Sequence, residues 1–329
     1  MKRAVVTGGE GFIGSHMVDL LVEQGFEVVV IDNLATGRLE NLAQHRSDPR
    51  VAVHRGDMCD LPADSALFRG AEYVFHFGGI GDIVPSIERP LDYMRANVTG
   101  TLAVLEASRH AGVRKVVYAA SSSCYGLATE LPTSESAPIR PEYPYALSKY
   151  LGECAALHWA QVYRLPVISI RMFNVYGPRV RTTGAYGAVF GVFLTQKLHG
   201  KPFTVVGDGT QMRDFVYVTD VARAFLLAAE SDDTGEVFNL GSGNPQSVNR
   251  LVELLGGDVV HVAKRPGEPD CTWADIRKIQ RSLGWKPTVS FEEGVTAMLA
   301  HIEHWRTAPL WTLETIEAAT RRWFEYLAR

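Results

Sequence analysis

Cysteine is scarce in this chain: Cys59, Cys124, Cys154 and Cys271 are the only four in 329 residues, and none stands in a Cys-x-x-Cys pair or with metal-ligand spacing. That argues against a disulfide scaffold or a zinc module and fits buried thiols in a reducing compartment. Positive charge is not in excess either. With 33 Lys and Arg against 37 Asp and Glu the net charge is -4, so no basic field exists to hold a nucleic-acid backbone. No apolar run approaches the length of about 18 residues needed to cross a bilayer. The first residues pass from two basic side chains into an apolar stretch and glycines without a small-residue cleavage site, so a cytoplasmic protein is expected. Repeats, low-complexity tracts and charged linkers are missing, so any second lobe must be interwoven with the first. The ten histidines, His301 and His304 included, lack surrounding ligands, and no metal is expected.

What is present is a 46% hydrophobic composition, ample for a core, arranged in alternating periods. Short β-branched runs at 3–7, 27–32, 51–55, 73–77, 115–119 and 166–171 alternate with helical stretches such as 14–24 and 99–111. That alternation predicts an α/β fold, a Rossmann-type doubly wound parallel sheet. Beyond Arg171 the pattern turns irregular, with loops at 177–187, helices at 189–198, 247–255 and 275–283 and a strand at 203–207. The expected division is a nucleotide-binding domain over 1–171, receiving return segments from the later chain, and a smaller substrate lobe mainly over 172–329. A last helix, 312–327, places Ile316, Ala319, Trp323, Phe324 and Leu327 on one face for core or dimer packing.

The first strand runs into Thr7-Gly8-Gly9-Glu10-Gly11-Phe12-Ile13-Gly14, a Gly-x-x-Gly-x-x-Gly turn that opens an amphipathic helix. Glycines permit the tight turn and a close backbone approach to a pyrophosphate, while the helix N-terminus offers free N–H groups. The second strand ends at Asp32-Asn33, where a carboxylate accepts from ribose hydroxyls and repels a 2'-phosphate, which favours NAD over NADP. Arg38 is a possible compensating charge. Asp57, after the third strand, is positioned for the adenine amino group. Tyr145 and Lys149, four apart, share a helix face. An ammonium and the positive nicotinamide ring together favour the phenolate, making a tyrosine a usable acid/base near neutral pH. A polar strand end, Ser121-Ser122-Ser123-Cys124-Tyr125-Gly126, lies where parallel sheets bind ligands.

These segments, with His76-Phe77-Gly78-Gly79, Asn97-Val98-Thr99-Gly100-Thr101, Arg171 to Gly177, Arg213-Asp214-Phe215, Asn239-Leu240-Gly241 and Arg265-Pro266-Gly267-Glu268, resemble in order the extended short-chain dehydrogenases/reductases, in particular UDP-galactose 4-epimerases. The resemblance spans about the first 290 residues. It implies that Tyr145 is the acid/base, Lys149 its electrostatic partner and a ligand of the nicotinamide ribose, and Ser121 the hydroxyl that shares a proton. Besides Gly8, Gly11, Phe12, Ile13, Gly14, Asp32, Asn33 and Asp57, it implies that Met58, Phe77, Gly78, Gly79 and Asn97 hold NAD. Ser86, Ser123, Asn174, Val206, Arg213, Arg265 and Glu268 are implied to surround a nucleotide-diphosphate sugar, arginine forks matching phosphate oxygens.

The same scaffold carries 4-epimerases, 4,6-dehydratases, C4 reductases and uronic acid decarboxylases. Dehydratases of this type need an Asp-Glu pair after the catalytic hydroxyl, and decarboxylases usually carry a glutamate there; here the positions hold Ser122 and Ser123. The reading is therefore a C4 epimerase, with those other sugar-nucleotide reactions and a non-catalytic NAD-binding regulator as alternatives. Three departures bear on the substrate: Gly81 stands where many such epimerases have a lysine near the cofactor phosphates, Val206 replaces an aromatic that packs on uracil, and Thr272 falls where room beside the sugar is set. Apolar and small residues on 99–111 and 145–162, namely Leu102, Val104, Leu105, Ala146, Leu151, Ala155 and Ala156, together with the resemblance, imply a homodimer through a four-helix bundle.

Overall fold

Residues 1–182, 189–265 and 267–327 are described by a computed structural model. Its first half runs β1 (Arg3–Thr7), α1 (Phe12–Glu23), β2 (Glu27–Asp32), β3 (Val51–Arg55), β4 (Tyr73–His76), α2 (Ile83–Glu88), α3 (Pro90–Met94), α4 (Gly100–Ala111), β5 (Lys115–Ser121), α5 (Pro144–Tyr163) and β6 (Val167–Met172). The second half follows as β7 (Asn174–Tyr176), α6 (Val189–Leu198), β8 (Phe203–Val206), β9 (Met212–Arg213), β10 (Phe215–Tyr217), α7 (Val218–Glu230), β11 (Glu236–Leu240), β12 (Gln246–Ser247), α8 (Val248–Leu255), β13 (Val259–Val262), α9 (Arg277–Leu283), α10 (Phe291–Ala300) and α11 (Leu313–Leu327).

Seven strands form one parallel sheet in the order β11-β6-β5-β4-β1-β2-β3. The central strands are continuous runs of Val, Ile, Ala and aromatics because helices cover both their faces. One face packs on α1 and α7 through Met17, Leu21, Val221 and Phe225; the other packs on α4 and α5 through Val104, Leu105 and Ala156. The strand order reverses between β1 and β4, and the crevice at that point is where such sheets bind ligands. β11 joins the far edge beside β6, in register from Glu236 opposite Ile168 to Leu240 opposite Met172.

The second core is aromatic. Tyr176, Phe190, Phe193, Phe203, Phe215, Phe291 and Trp305 pack together between α6, α8 and α10, with Phe215 and Phe291 stacked at 5.1 Å. Among the described residues no helix is long and apolar enough to cross a membrane.

Several expectations change in detail. The strand expected over 203–207 stops at Val206 because Gly207 takes φ +61. On α11 the buried face is Ile316, Thr320 and Trp323, while Phe324 is exposed, since spacings of four and three keep 316, 320 and 323 in line and turn 324 outward. The loop expected at 177–187 falls partly on 183–188, outside the described residues. The cysteines are free thiols, and only Cys124 is buried; Cys154 is exposed on α5.

Candidate active site

The glycine turn is built by close approach of backbone to backbone. Gly8 has φ +69, and a Cβ there would stand 2.8 Å from the Gly78 nitrogen at the end of β4. A Cβ on Gly14 would stand 2.1 Å from the Gly8 carbonyl oxygen. Only glycine fits either position, and the helix start so formed carries no side-chain cap, leaving its N–H groups for an anion. His76 ties this turn to α4. Its Nδ1 is 2.6 Å from the Thr7 hydroxyl and its Nε2 2.9 Å from that of Thr101, which itself donates to the Asn97 carbonyl. Thr101 therefore accepts from Nε2–H, and Thr7 donates to Nδ1 while accepting from the Gly78 N–H. Complete burial, with Lys149 nearby, pushes the imidazole down to about 3, so it is neutral.

A cleft of about 750 Å³ opens over this turn. Gly8, Gly11, Phe12, Ile13, Gly14, Asp32, Asn33, Asp57, Met58, Phe77, Gly78 and Gly79 line one part, and Ser121, Tyr145 and Lys149 another. Asp32 accepts from the Glu10 N–H (2.9 Å) and the Leu34 N–H (2.8 Å). Burial raises its carboxyl above the usual range, against the Leu34 bond. Burial also raises Asp57, but bonds from Cys59 and the charge of Arg95 at 3.2 Å outweigh it and hold the carboxyl low. Arg38 turns its guanidinium to the Thr182 hydroxyl. The shape and polarity of this cleft fit a dinucleotide: a glycine turn for a pyrophosphate, a buried carboxylate for a ribose.

The catalytic candidates meet at the C-terminal end of β5. The Tyr145 hydroxyl donates to Ser121 Oγ at 3.3 Å, and Ser121 Oγ also accepts from the Ser123 N–H at 3.2 Å. Lys149 is buried with its ammonium 4.5 Å from the centre of the Tyr118 ring. In the chain's own residues burial holds the Tyr145 phenol above its ordinary value, opposed by the Ser121 bond, and burial drives Lys149 itself down to about 8. What keeps Lys149 from falling further is Glu153, one turn on.

Glu153 was not singled out by the sequence. Its carboxylate takes Arg171 in a two-pronged pair (2.6 and 3.0 Å), accepts from Ser169 at 2.8 Å, and is buried with its partner. Burial opposes the Arg171 charge, but the bonds and charge of Glu153 outweigh it and keep the guanidinium protonated. The pair fixes α5 against β6, and with it the register of Tyr145 and Lys149.

Three expected ligands do not reach the cleft wall. Asn97 is buried in a π-helical turn ahead of α4; its amide bonds Ile80 on both sides (2.9 and 3.0 Å) and donates to Ser148 at 2.9 Å, so it pins the loop after Gly79 to α5. Ser86 is fully buried in α2 and donates to the Ile83 carbonyl at 2.6 Å, one turn back. Ser123 donates its backbone N–H to Ser121 Oγ and is not part of the cleft lining. Asn97 and Ser86 are scaffold contacts.

The remaining substrate candidates gather in a smaller pocket of about 160 Å³, lined among others by Asn174, Val206, Arg213, Arg265 and Glu268. Val175 and Val180 belong to both walls, so the two spaces adjoin. Arg213 reaches Glu268 at 2.8 Å and Arg265 lies 3.7 Å from it. Glu268 Oε2 is buried without a hydrogen bond, an acceptor suited to a ligand hydroxyl. Thr272 donates to the Asn174 amide oxygen at 2.9 Å, which leaves the amide NH2 as a donor. Near Gly81, where a lysine was expected from the resemblance, Arg181 lines the cleft and pairs with Asp82.

The sequence profile described as the NAD dependent epimerase/dehydratase family matches residues 4–241, which take in the glycine turn, the serine strand end and the Tyr145–Lys149 helix. The chain belongs to the NAD dependent epimerase/dehydratase family. Within the family, the chain is 35% identical over 305 residues to a UDP-glucose 4-epimerase of Mycolicibacterium smegmatis, covering 89% of this chain and 96% of the relative. It is also 32% identical to a dTDP-D-glucose 4,6-dehydratase of Mus musculus, with 89% and 86% covered. The crystal structure of UDP-glucose 4-epimerase with UDP-glucose from Thermotoga maritima superposes with a TM-score of 0.84 at 35% identity, over 92% of this chain and 99% of that one. Both reaction types of this NAD-dependent family thus stand among the relatives.

The family's NAD meets a buried Asp32 here, which repels a 2'-phosphate, while Arg38, the one nearby residue expected to compensate, is engaged by Thr182. NAD is expected to bind more than about tenfold tighter than NADP, or about 1.4 kcal/mol. Calorimetry with each dinucleotide checks this; equal affinities would mean that Arg38 leaves Thr182 to meet the phosphate.

Proposed function

We propose that the protein is a nucleotide-sugar 4-epimerase. The observation that carries this reading is the strand end itself: a hydroxyl, Ser121, within 3.3 Å of the Tyr145 phenol, followed by serines at 122 and 123, which cannot supply the acid and base of a dehydration. Asp82 also lines the cleft, but its carboxylate is held by Arg181.

In this reading Arg213, Arg265 and Asn174 hold the substrate diphosphate, and Glu268 Oε2 accepts from a nucleoside hydroxyl. The sugar then lies toward Tyr145, whose phenolic oxygen takes the C4 hydroxyl proton and later gives it back, Ser121 sharing the proton with both. Lys149 favours the deprotonated phenol by its charge. NAD, held along the glycine turn and Asp32, would supply a hydride acceptor and donor for C4 and a positive ring that favours phenolate. Between the two transfers the arginines keep the diphosphate while the 4-keto sugar turns over.

The migrating hydrogen never meets solvent in such a reaction. In deuterium oxide the product is expected to be the C4 epimer with no carbon-bound deuterium, formed without added NADH. Deuterium at C3 or C5, or a stoichiometric demand for reduced cofactor, would overturn the assignment and leave the family and fold standing.

The reading includes a two-fold homodimer through α4 and α5. Val104, Leu105, Ala146 and Ala156 serve the chain's own core, so the docking face is narrower than the sequence implied. It retains Leu147, Leu151 and Val162, all exposed on α5, with Leu102 and Ala155 half-buried beside them. Light scattering at micromolar concentration is expected to give twice the chain mass; a monomer would remove this part of the proposal.

A further inference from the structure

α11 touches both halves of the molecule. Ile316, in its first turn, is buried in the aromatic core of the second lobe, and further along the helix packs on α2 of the first half. Trp323, on the same helix, is 5% exposed, and it faces Arg265 of the candidate site and Tyr143, two residues before Tyr145. The Arg265 guanidinium lies over the indole at 5.7 Å, and the Tyr143 ring lies 6.4 Å from it at 45°. Tyr143 in turn stacks on Tyr145 at 6.3 Å and 11°. Leu327 borders Gly267, between Arg265 and Glu268: a Cβ added to that glycine would stand 3.9 Å from the Leu327 Cβ. This chain also carries length that the Thermotoga maritima enzyme does not, since that enzyme is covered almost completely while part of this chain is left over.

We propose that α11 is a strap across the substrate cleft and that Trp323 is a positioning residue for nucleotide-sugar binding. The indole face holds the Arg265 guanidinium by a cation–π contact, so the arginine's donor fork is fixed before a diphosphate arrives. The same ring backs the Tyr143–Tyr145 stack. One side chain, supplied from the second lobe, thereby sets the anion-binding end of the cleft relative to the phenol that meets the sugar. This rests on the reading of the Arg213–Arg265 pocket as a nucleotide-sugar site. It adds a specificity element outside the motifs from which that reading was drawn.

The test is a set of affinities for UDP-glucose and dTDP-glucose, measured by calorimetry on the full chain with NAD present. Trp323→Leu fills the space without an aromatic face, Trp323→Phe keeps a face, and Arg265→Gln removes the cation; the affinity of each for NAD reports whether the fold is intact. Whichever sugar nucleotide the unaltered chain binds is expected to bind about tenfold more weakly to Trp323→Leu, within about threefold of normal to Trp323→Phe, and with NAD affinity unchanged in both. In the Arg265→Gln background, Trp323→Leu is expected to cost much less than tenfold, because the indole acts through the arginine. In turnover, KM is expected to rise by more than kcat falls. A Trp323→Leu chain that binds both probes as the unaltered chain does, or a loss of the same size in the Arg265→Gln background, would overturn the role of Trp323. An unaltered chain that binds neither probe would overturn the nucleotide-sugar reading, and the role of Trp323 with it.

Discussion

Replacing Tyr145 by Phe is expected to lower turnover at least about a hundredfold while NAD still binds and the fold is unchanged. One oxygen is lost, and it is the atom that donates to Ser121 in the cleft. The ring keeps its contacts with Tyr143 and Tyr93, at 6.3 and 6.4 Å, so packing at the start of α5 is preserved. A lost general acid/base is worth roughly two to four orders of magnitude. A steady-state assay of C4 epimerisation, read against NAD affinity, checks this. Turnover like that of the unaltered chain would place the proton transfer on another group.

Glu153→Ala is expected to destabilise the protein by about 3–5 kcal/mol. The substitution leaves the Arg171 guanidinium buried with only the Tyr125 hydroxyl at 2.8 Å and the Glu135 carbonyl at 3.3 Å as partners. A charge so placed loses its neutralising carboxylate without regaining water. Urea unfolding monitored by circular dichroism measures the difference, and a loss below about 1 kcal/mol would mean that water or a side-chain movement rescues the arginine. A second effect reaches the site. Glu153 supports the charged form of Lys149, so its removal moves the lysine below the present value of about 8 and favours neutral amine at pH 7–8. Turnover is therefore expected to fall even in conditions where the variant stays folded.

The parts of the sheet that were readable are those with a strong local signature. β1, β2 and β5 are short runs built around consecutive valines, and the glycine turn between β1 and α1 declares itself by spacing. α7 and β11 were not read. α7 buries Val218, Val221, Ala222, Ala224, Phe225, Leu226, Ala228 and Ala229 and leaves Thr219 and Glu230 exposed, a two-faced pattern that was legible and overlooked. β11 is five residues long and follows a glycine turn, too brief to show a period. The start of α10 was legible and overlooked: Ser290 and Glu293 form a capping box, each accepting from the other's backbone N–H.

Within the site, residues whose place follows from backbone geometry or chain order come together as the sequence implied. Gly8, Gly14, Asp32, Ser121, Tyr145 and Lys149 all line one cleft. Residues whose role depends on what packs behind them were not. Asn97 and Ser86 belong to motifs of the resemblance, but a motif does not say whether a polar side chain faces the cleft or the scaffold. The Glu153–Arg171 pair joins a helix to a strand, a relation that neither helical spacing nor strand alternation encodes. The standing of Tyr145 is also a property of its surroundings: burial raises the phenol and lowers Lys149 in the chain's own residues, and neither effect is written in the spacing of the two.

The late arrival of β11 beside β6 sets how this molecule can be divided. A cut after residue 171 would remove not only the second lobe but also the strand that covers the β6 edge, together with α7, which packs on α1. The N–H and C=O groups along that edge would lose their ladder, and an uncovered parallel edge is a template for pairing with other chains. The cofactor half is thus not a portable cassette. In synthesis, too, the sheet stays one strand short until residue 240 has emerged, so the half with the glycine turn is closed by a strand from the later half.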